Sequence, residues 1–405
     1  MRGSVPCLTM ASAVSVALLC TRPVAAQAPP ILPSTRVVQA GPASLYPAIA
    51  LRNVGTDSNV YNAATAPQED FTYSVTPRLY AVVPIGHGRF IGTAKGDFVY
   101  FRTHKDQQSI NAFLEGRYDV VEAPVRPFVA ASVATYRDRQ GHEIDARVRQ
   151  RQTAMTLGGE IELTPITSLT GWVQRQNTTW DPNELYRGVS LAEQLDSTAD
   201  VVAAGARFHV TPLTSIVAVA EIQRDRFEAS PERDADSFRV GPTAEFANGG
   251  AITGRAQGGY RAFRPLTPGF GGYNGFAGMA DVRYEFLDLT QVYVNASRDV
   301  EFSYDPLQPY YLETGVGFRV VQHVVGPLEA IAVGERWQLR YQRVGGTSFD
   351  GREETLTTIG GGVGFRLGED MELTFTVDRT ARHSSDTITR NYERRRVLAS
   401  VNYGL

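Results

Sequence analysis

The chain has 405 residues, a formal net charge of −3, 42% hydrophobic residues and 20% charged residues. A transmembrane helix needs roughly 20 consecutive apolar residues. The only comparable run lies at the N-terminus, so the composition excludes a bundle of membrane helices. The charge is too weakly biased to indicate a nucleic acid as partner, whereas the content of apolar and aromatic residues suffices for a large core.

Residues 1–26 are predicted to be an export signal. Arg2 provides a positive start, residues 5–19 are apolar but too short to span a membrane, and small residues precede position 27. Both cysteines, Cys7 and Cys20, lie in this segment, so the mature chain is expected to fold without disulfides. Residues 27–43 are predicted to form a Pro-rich periplasmic leader, and residues 44–405 are assigned to one membrane domain.

From residue 45 onward the chain reads as amphipathic β-strands of about 10 to 14 residues, in which polar and apolar side chains alternate. The pattern predicts eighteen strands, with 16 as the alternative number. The predicted strands cover residues 45–54, 70–84, 89–101, 109–120, 127–137, 149–163, 168–180, 197–210, 215–227, 236–246, 251–263, 275–286, 290–303, 310–321, 328–344, 355–367, 371–380 and 392–405.

The connections between these strands alternate in length. Short turns are predicted at 85–88, 122–125, 164–167, 211–214, 247–250, 287–289, 326–327 and 368–370, and longer polar connections lie between them, with both termini on the short-turn side. A tilted strand of about 12 residues rises about 28 Å, which matches the apolar band of an outer membrane, roughly 25 Å. The predicted fold is therefore all-β, a single closed antiparallel transmembrane β-barrel.

Alternation also assigns one face of each strand to lipid and the other to the lumen. An arginine that faces lipid costs roughly 2 to 4 kcal/mol at the membrane midplane. In residues 335–342 this cost places Trp337, Leu339 and Tyr341 outside and the arginines inside. The same rule places Leu373, Phe375 and Val377 outside. The predicted lumen-facing, anion-attracting arginines are Arg78, Arg117, Arg207, Arg255, Arg261, Arg283, Arg319, Arg336, Arg340 and Arg366.

The arrangement of these arginines decides what they do. A cluster at one constriction attracts acidic polymers, whereas arginines dispersed among carboxylates only keep the channel hydrated. Tyr80 and Tyr293 are the aromatic candidates for contact with neutral sugars.

Aromatic residues are predicted to form girdles at both membrane interfaces. The girdle at the long-loop end is predicted from Tyr100, Tyr136, Trp180, Phe227, Phe263 and Phe302, and the girdle at the short-turn end from Phe90, Phe246, Phe286 and Tyr403.

Catalytic chemistry finds little support in the sequence. No two of the six histidines have metal-ligand spacing, so no metal site is predicted, and no cofactor motif is found. His209 is predicted to face the lumen beside Arg207, where a solvated residue is favoured over a catalytic base. The carboxylates Glu160 and Glu162 are interpreted as part of a hydrated lining. We therefore expect no enzyme.

Three stretches of sequence carry a family resemblance: residues 55–61, the two Thr-Pro-Ile/Leu-Thr-Ser turns that begin at Thr164 and Thr211, and the terminal strand. With them the chain resembles a family of outer-membrane β-barrel porins associated with exopolysaccharide biosynthesis. The resemblance implies the outer membrane of a Gram-negative bacterium and a role in the passage or assembly of a secreted polysaccharide, and the lumen arginines suggest that this polysaccharide is acidic.

The implied partners are outer-membrane lipid and lipopolysaccharide, the barrel-insertion machinery and polysaccharide export components. Two other functions stay open. A general diffusion porin would fold a long loop inward, with 181–196 or 264–274 as candidates, and an outer-membrane hydrolase would depend on His209.

Overall fold

The structure is a computed structural model that describes residues 37–121, 123–139, 141–287, 289–343, 348–368, 370–385 and 390–404. The predicted export signal, most of the leader and the terminal Leu405 lie outside these ranges. Within them, no helix combines the length and the apolar character needed to cross a membrane.

Long β-strands make up most of the described chain. The strands are β1 (Val38–Ala40), β2 (Ala43–Asp57), β3 (Asp70–Ile85), β4 (Gly88–Phe101), β5 (Ser109–Val120), β6 (Val125–Arg139), β7 (Arg147–Thr164), β8 (Thr167–Trp180), β9 (Leu185–Tyr186), β10 (Val189–Ser190), β11 (Ser197–Thr211), β12 (Thr214–Phe227), β13 (Ala235–Phe246), β14 (Ile252–Pro265), β15 (Tyr273–Phe286), β16 (Thr290–Phe302), β17 (Tyr310–Val325), β18 (Leu328–Tyr341), β19 (Glu353–Leu367), β20 (Met371–Ser384) and β21 (Tyr392–Tyr403). Short helices cover Lys105–Gln107, Leu191–Leu195 and Pro231–Arg233.

Eighteen of these strands form one closed antiparallel barrel. Each barrel strand pairs with the next along the chain, β8 pairs with β11 across the small hairpin of β9 and β10, and β21 pairs with β2. The predicted closed barrel and its eighteen strands are confirmed. Because the last strand pairs with the first, no barrel strand is left with an unpaired edge.

The eight predicted short turns all connect barrel strands, at the end of the barrel where β2 begins and β21 ends. The longer loops lie at the other end, which is the extracellular end in a bacterial outer-membrane barrel. The longest of them, between β8 and β11, holds the hairpin of β9 and β10 and the helix Leu191–Leu195.

The barrel carries apolar side chains on its outer face. Ile110 is 70% exposed and Met155 is 66% exposed, whereas Thr76 and Glu221 on the inner face are buried. Paired residues in neighbouring strands share a face, so these exposures fix the orientation around the whole barrel. The predicted outward position of Leu373, Phe375 and Val377 is confirmed.

The predicted faces of β18 are wrong. Arg336 pairs with Thr357 and Arg340 with Glu353, and this set continues the exposed outer face of Ile359. Trp337, Leu339 and Tyr341 therefore point inward, where they are buried. The error has a physical cause: near the extracellular end the lumen is filled by loop side chains rather than by water, so the inward face there is apolar.

The predicted aromatic girdle at the extracellular end is also largely wrong. Trp180 and Phe227 are buried with Ile144 and Leu191 in a core beneath the loops. Phe263 packs with Tyr310 in a second core, to which Phe302 contributes a ring. At the short-turn end, Phe90, Phe286 and Tyr403 are exposed on the outer face, as the sequence predicts.

Candidate functional site

Eight of the ten predicted lumen-lining arginines face the lumen. Strand pairing places them on the same face as buried polar residues, and Arg336 and Arg340 are the two exceptions on the outer face. The eight that face inward are Arg78, Arg117, Arg207, Arg255, Arg261, Arg283, Arg319 and Arg366.

Most arginines near the two ends of the lumen have carboxylate partners. Arg207 lies between Glu160, 3.3 Å away, and Glu245. Arg117 contacts Asp119 at 2.6 Å, and Arg366 reaches the buried Glu329 at 2.7 Å. Arg283 pairs with Glu285 at 2.8 Å, and Arg261 pairs with Asp299. These arginines are dispersed and neutralised, and they keep the lumen polar without making it strongly positive.

In the middle of the lumen, unlike at its ends, cationic side chains lie close to one another. Arg78 stands directly opposite Lys95 in the pairing of β3 and β4, and Arg52 of β2 is close enough to both for the three charges to interact. Arg52 also interacts electrostatically with Arg319, which projects from β17 on another part of the wall. We call Arg52, Arg78, Lys95 and Arg319 the mid-lumen cation cluster.

The cation cluster lacks ion-pair partners within the described ranges. Arg78 is 8% exposed, and its Nε and Nη2 atoms are buried without a hydrogen-bond partner among the described residues. The charge of Asp97 acts on Arg52, Arg78 and Lys95 together, so one carboxylate is shared among three cations. Glu372 also acts on Arg52 and Asp138 on Lys95, and the four cations still outnumber these three carboxylates. The cluster therefore keeps excess positive charge.

A β-bulge places Arg52 in this cluster. The pairing register of β2 shifts between Arg52 and Gly55 on one side and between Leu51 and Val54 on the other. Asn53, inside the bulge, has a φ of 56°, in the left-handed region that Asn tolerates better than most residues. Bulges bend a strand and re-aim its side chains, and here the bulge follows directly on a lumen-facing arginine.

At the extracellular end, the loop between β6 and β7 crosses the lumen. His142 of this loop lies 2.9 Å from Glu313 of β17 and stacks on Trp337 of β18, with ring centroids 4.1 Å apart. β6 and β17 are the fifth and fourteenth of the eighteen barrel strands, half the circumference apart. The loop thus bridges opposite walls.

A buried group of charges joins this loop to its neighbours. Glu354 of β19 is 0% exposed and is in ion-pair contact with Arg382, with Arg390 at 2.6 Å and with Arg352 at 3.0 Å. Arg382 also reaches Asp145 at 3.2 Å. We call Glu143, Asp145, Arg352, Glu354, Arg382 and Arg390 the extracellular charge cluster.

Glu143 is the point at which the loops meet. Its carboxylate accepts hydrogen bonds from Ser303 Oγ at 2.6 Å and from the Tyr304 backbone at 3.1 Å, both in the loop between β16 and β17. Its backbone oxygen accepts from Arg390 at 3.2 Å and from Tyr186 at 3.3 Å. Burial raises the pKa of the Glu143 carboxyl, although the charges of Arg390 and Arg352 act in the opposite direction.

The predicted inward loops do contribute to this closure. Tyr186, in the loop at 181–196, donates a hydrogen bond to Asp145 at 2.6 Å, and Phe270, in the loop at 264–274, packs on Tyr310. The loop that crosses the lumen, however, is the shorter one at 141–146, which the sequence did not single out.

His209 faces the lumen, as predicted, and its Nδ1 atom lies 3.0 Å from Ser215 Oγ on the paired strand. No described carboxylate orients the other ring nitrogen, so the pair lacks the third member of a catalytic triad. The described residues also contain no group of three or more His, Cys, Asp or Glu side chains that could hold a metal ion.

Most residues of the two clusters were not predicted from the sequence. Arg52 and Lys95 carried a usable signal, because they alternate with outward residues such as Leu51 in the same way as the arginines that were chosen. Glu143, Arg352 and Arg390 lie in loops without periodicity, so no pattern could have assigned them. Glu354 lies one residue before the predicted strand 355–367, and Arg382 lies two residues beyond the predicted strand 371–380.

The sequence motif at 55–61 closes the barrel. Asp57 accepts hydrogen bonds from Arg394 of β21, and Asn59 Nδ2 donates to the Glu393 backbone at 3.0 Å. A Cβ atom at Gly55 would collide with the carbonyl oxygen of Val397. The motif therefore fastens the first strand to the last.

The chain is similar to outer-membrane proteins of known structure at low sequence identity. No curated protein sequence matches the chain. Among solved structures, the outer-membrane protein OpdK of Pseudomonas aeruginosa is 11% identical with a TM-score of 0.49, and the alignment covers 89% of this chain and 98% of that one. OccK2 (OpdF) of Pseudomonas aeruginosa, solved with glucuronate, is 11% identical with a TM-score of 0.48, covering 89% and 97%. A bacterial polysaccharide outer membrane secretin is 9% identical with a TM-score of 0.37, covering 88% and 97%.

The match to a protein family covers the whole described barrel. A family model described as "Putative beta-barrel porin 2" matches residues 38–404. This range runs from the first strand to the last and includes the lumen arginines, the crossing loop and the closing motif. The chain belongs to this family of outer-membrane β-barrel porins.

Proposed function

We propose that the channel carries acidic solutes, above all an acidic glycan such as a secreted exopolysaccharide. The observation that supports this most directly is the mid-lumen cation cluster, because its charge is not neutralised whereas the arginines near both lumen ends are paired. Unneutralised positive charge inside a low-dielectric wall concentrates anions and lowers the barrier to their passage.

We also propose that the extracellular charge cluster is a gate. Loops from several parts of the wall meet at Glu143 and Glu354, and the contacts are hydrogen bonds and ion pairs, which can break and re-form. At the other end, turns as short as those at Gly86 and at Pro212 cannot reach across the lumen. A polymer would therefore enter from the periplasm and leave when the loops open.

The test is conductance in planar bilayers. A reversal potential in a potassium chloride gradient should show chloride preferred over potassium. Oligomers of glucuronate should block the current in a dose-dependent way, and neutral glucose oligomers of equal length should not. Cation preference, or equal block by both oligomers, would overturn the acidic cargo. Export is tested in the native host, where removal of the protein should lower the polysaccharide found outside the cells.

A general diffusion porin is the second candidate, favoured by the loop at 141–146 that folds into the lumen. For such a porin, the rate of solute entry into liposomes should depend on solute size alone. If uronates and neutral sugars of equal size enter equally fast, this second function holds and the first fails.

We propose no catalytic role for the chain. His209 and Ser215 are a histidine and a serine in contact, and they can be tested together. His209→Ala should leave conductance unchanged. Ester or lipid hydrolysis by the purified protein that disappears in this variant would make the chain an enzyme.

The outer face suggests a lipid partner. The outward arginines in the extracellular half of the barrel lie where the outer leaflet presents the phosphates of lipopolysaccharide, and we propose that they bind these phosphates. The exposed members are Arg149, Arg151, Arg175, Arg224, Arg264, Arg336, Arg340, Arg379 and Arg395. The barrel-insertion machinery and polysaccharide export components remain proposed partners on the basis of the sequence.

A further inference from the structure

We infer that the mid-lumen cation cluster is a binding site for the carboxylate of a uronic acid residue, with Arg78 as its principal ligand. The inference rests on the proposed function and deepens it, because it names the group that is recognised and the residues that recognise it. A channel can favour anions through its field alone, whereas a site holds one anion at one place.

Arg78 supplies the geometry. The side chain is almost wholly buried, yet Nε and Nη2 have no hydrogen-bond partner among the described residues. These two atoms form one edge of the planar guanidinium group, the edge that binds the two oxygens of a carboxylate in a fork. A buried donor without a partner is costly, so the wall holds a donor pair that a ligand can satisfy.

The neighbours of Arg78 supply the charge. Lys95 lies directly opposite on β4, and Arg52 approaches from β2. Arg52 in turn interacts with Arg319 on β17, so the positive charge extends across the lumen rather than along one wall. Asp97 and Glu372 interact with Arg52, and Asp138 interacts with Lys95, so four cations stand against three carboxylates.

A sugar ring has room for further contacts beside this site. Tyr80 faces the lumen one inward position from Arg78 along β3, and its ring lies 5.7 Å from that of Tyr46. Tyr80 faces the same lumen space as the cluster, so a ring bound through its carboxylate can pack against an aromatic face. A uronate carries both a carboxylate and a sugar ring, whereas an inorganic anion carries only the charge.

Binding is measured by isothermal titration calorimetry on the full-length protein folded in detergent, with glucuronate, sulfate and glucose as probes. Glucuronate should bind and glucose should not.

Arg78→Gln should weaken glucuronate binding about tenfold or more, because it removes a charge-assisted hydrogen bond. The affinity of Arg78→Lys for glucuronate should lie between those of the wild type and Arg78→Gln, since lysine keeps the charge but cannot bind both carboxylate oxygens in a fork. Arg343→Gln, on an exposed loop where the arginine pairs with Asp350, is the control and should bind like the wild type.

Each outcome decides the inference. Equal affinity in wild type, Arg78→Gln and Arg78→Lys would overturn the site, even if the channel conducts anions. Sulfate that binds as tightly as glucuronate would reduce the cluster to an unspecific anion field. If Arg78→Gln does not fold, Lys95→Gln tests the same cluster, and its affinity must fall too. Tight glucuronate binding by a protein that shows no conductance would instead reject the channel and keep the site.

Discussion

Glu353 and Glu354 are neighbours in the chain but lie on opposite sides of the barrel wall. Glu353 points outward, where it lies 3.8 Å from the exposed Arg340. Glu354 points inward, is completely buried and is in contact with three arginines. Glu353 thus forms an ion pair on the surface of the barrel, whereas the identical side chain of Glu354 lies at the centre of the proposed gate.

This difference predicts that Glu354→Gln opens the channel. The substitution leaves Arg352, Arg382 and Arg390 buried without their shared carboxylate, and removal of one partner of a buried ion pair costs about 3–5 kcal/mol. The loops should therefore separate in a larger fraction of molecules. In single-channel recordings the variant should show a higher open probability than the wild type.

Glu353→Gln is the matched control, because an exposed ion pair contributes about 0–1 kcal/mol. Its conductance should equal that of the wild type. Identical recordings from the two variants would show that the buried charges do not hold the loops closed.

The gate is also expected to respond to pH through Glu143. Burial raises the pKa of this carboxyl above its ordinary value of 4.5, so the closed arrangement binds the proton more tightly than an open, hydrated one. The stabilisation is fully present below pH 4.5 and is lost as the pH rises through the higher pKa of the closed state. Conductance should therefore decrease as the pH is lowered toward 4.5. The charged and titratable groups around Glu143 include Arg233, Arg352, Arg382, Arg390, Asp145, Tyr186, Tyr304, Tyr311 and Tyr341.

Glu143→Gln cannot take up this proton and should abolish the pH dependence while it preserves the shape of the side chain. Conductance should then be equal at pH 7 and at pH 4.5. A variant that keeps the full pH response would assign the response to another group.

The barrel itself could be predicted from the sequence, because strand alternation, strand length and turn position are local properties that repeat eighteen times. Each hairpin, such as that of β7 and β8 around Pro165, carries its own signal. Errors in single strand ends, such as the extension of β2 to Asp57, did not change the topology.

The face of β18 could not be predicted by the same rule. That rule holds only where water fills the barrel and acyl chains surround it at every height. Trp337 instead stacks on a loop histidine inside, and Arg340, the penultimate residue of β18, reaches the membrane surface, where an arginine costs about 0–1 kcal/mol. Which loop fills the lumen depends on contacts between residues far apart in the chain, such as Glu143 with Ser303, and no local pattern encodes them.

Arg336 and Arg340 should stabilise the barrel only in the presence of lipopolysaccharide. An arginine near an anionic membrane surface contributes about 1 kcal/mol, so the double substitution to Ala should lower the unfolding temperature in bilayers with lipopolysaccharide. In phosphatidylcholine bilayers the same substitution should have little effect. Thermal unfolding of both proteins in both bilayers measures this, and Arg343→Ala serves as the control.

An equal loss of stability in the two bilayers would contradict the proposed contact with phosphates. It would indicate instead that these arginines stabilise the barrel through protein contacts such as that of Arg340 with Glu353.

Gly55 should be essential for closing the barrel. A methyl group at this position collides with the carbonyl oxygen of Val397 on the last strand, and backbone atoms in a paired strand cannot move away freely. We expect Gly55→Ala to destabilise the barrel by about 1–3 kcal/mol and to slow its assembly, since the barrel closes only when β2 pairs with β21. Folded and unfolded barrels migrate differently on gels run without heating, which gives the folded fraction directly.

Gly159→Ala is the control, because the nearest atom lies 3.6 Å from the added methyl group, and this variant should fold like the wild type. If both variants fold equally well, the contact between Gly55 and Val397 does not limit closure, and the seam between β2 and β21 is held by Asp57 and Arg394 instead.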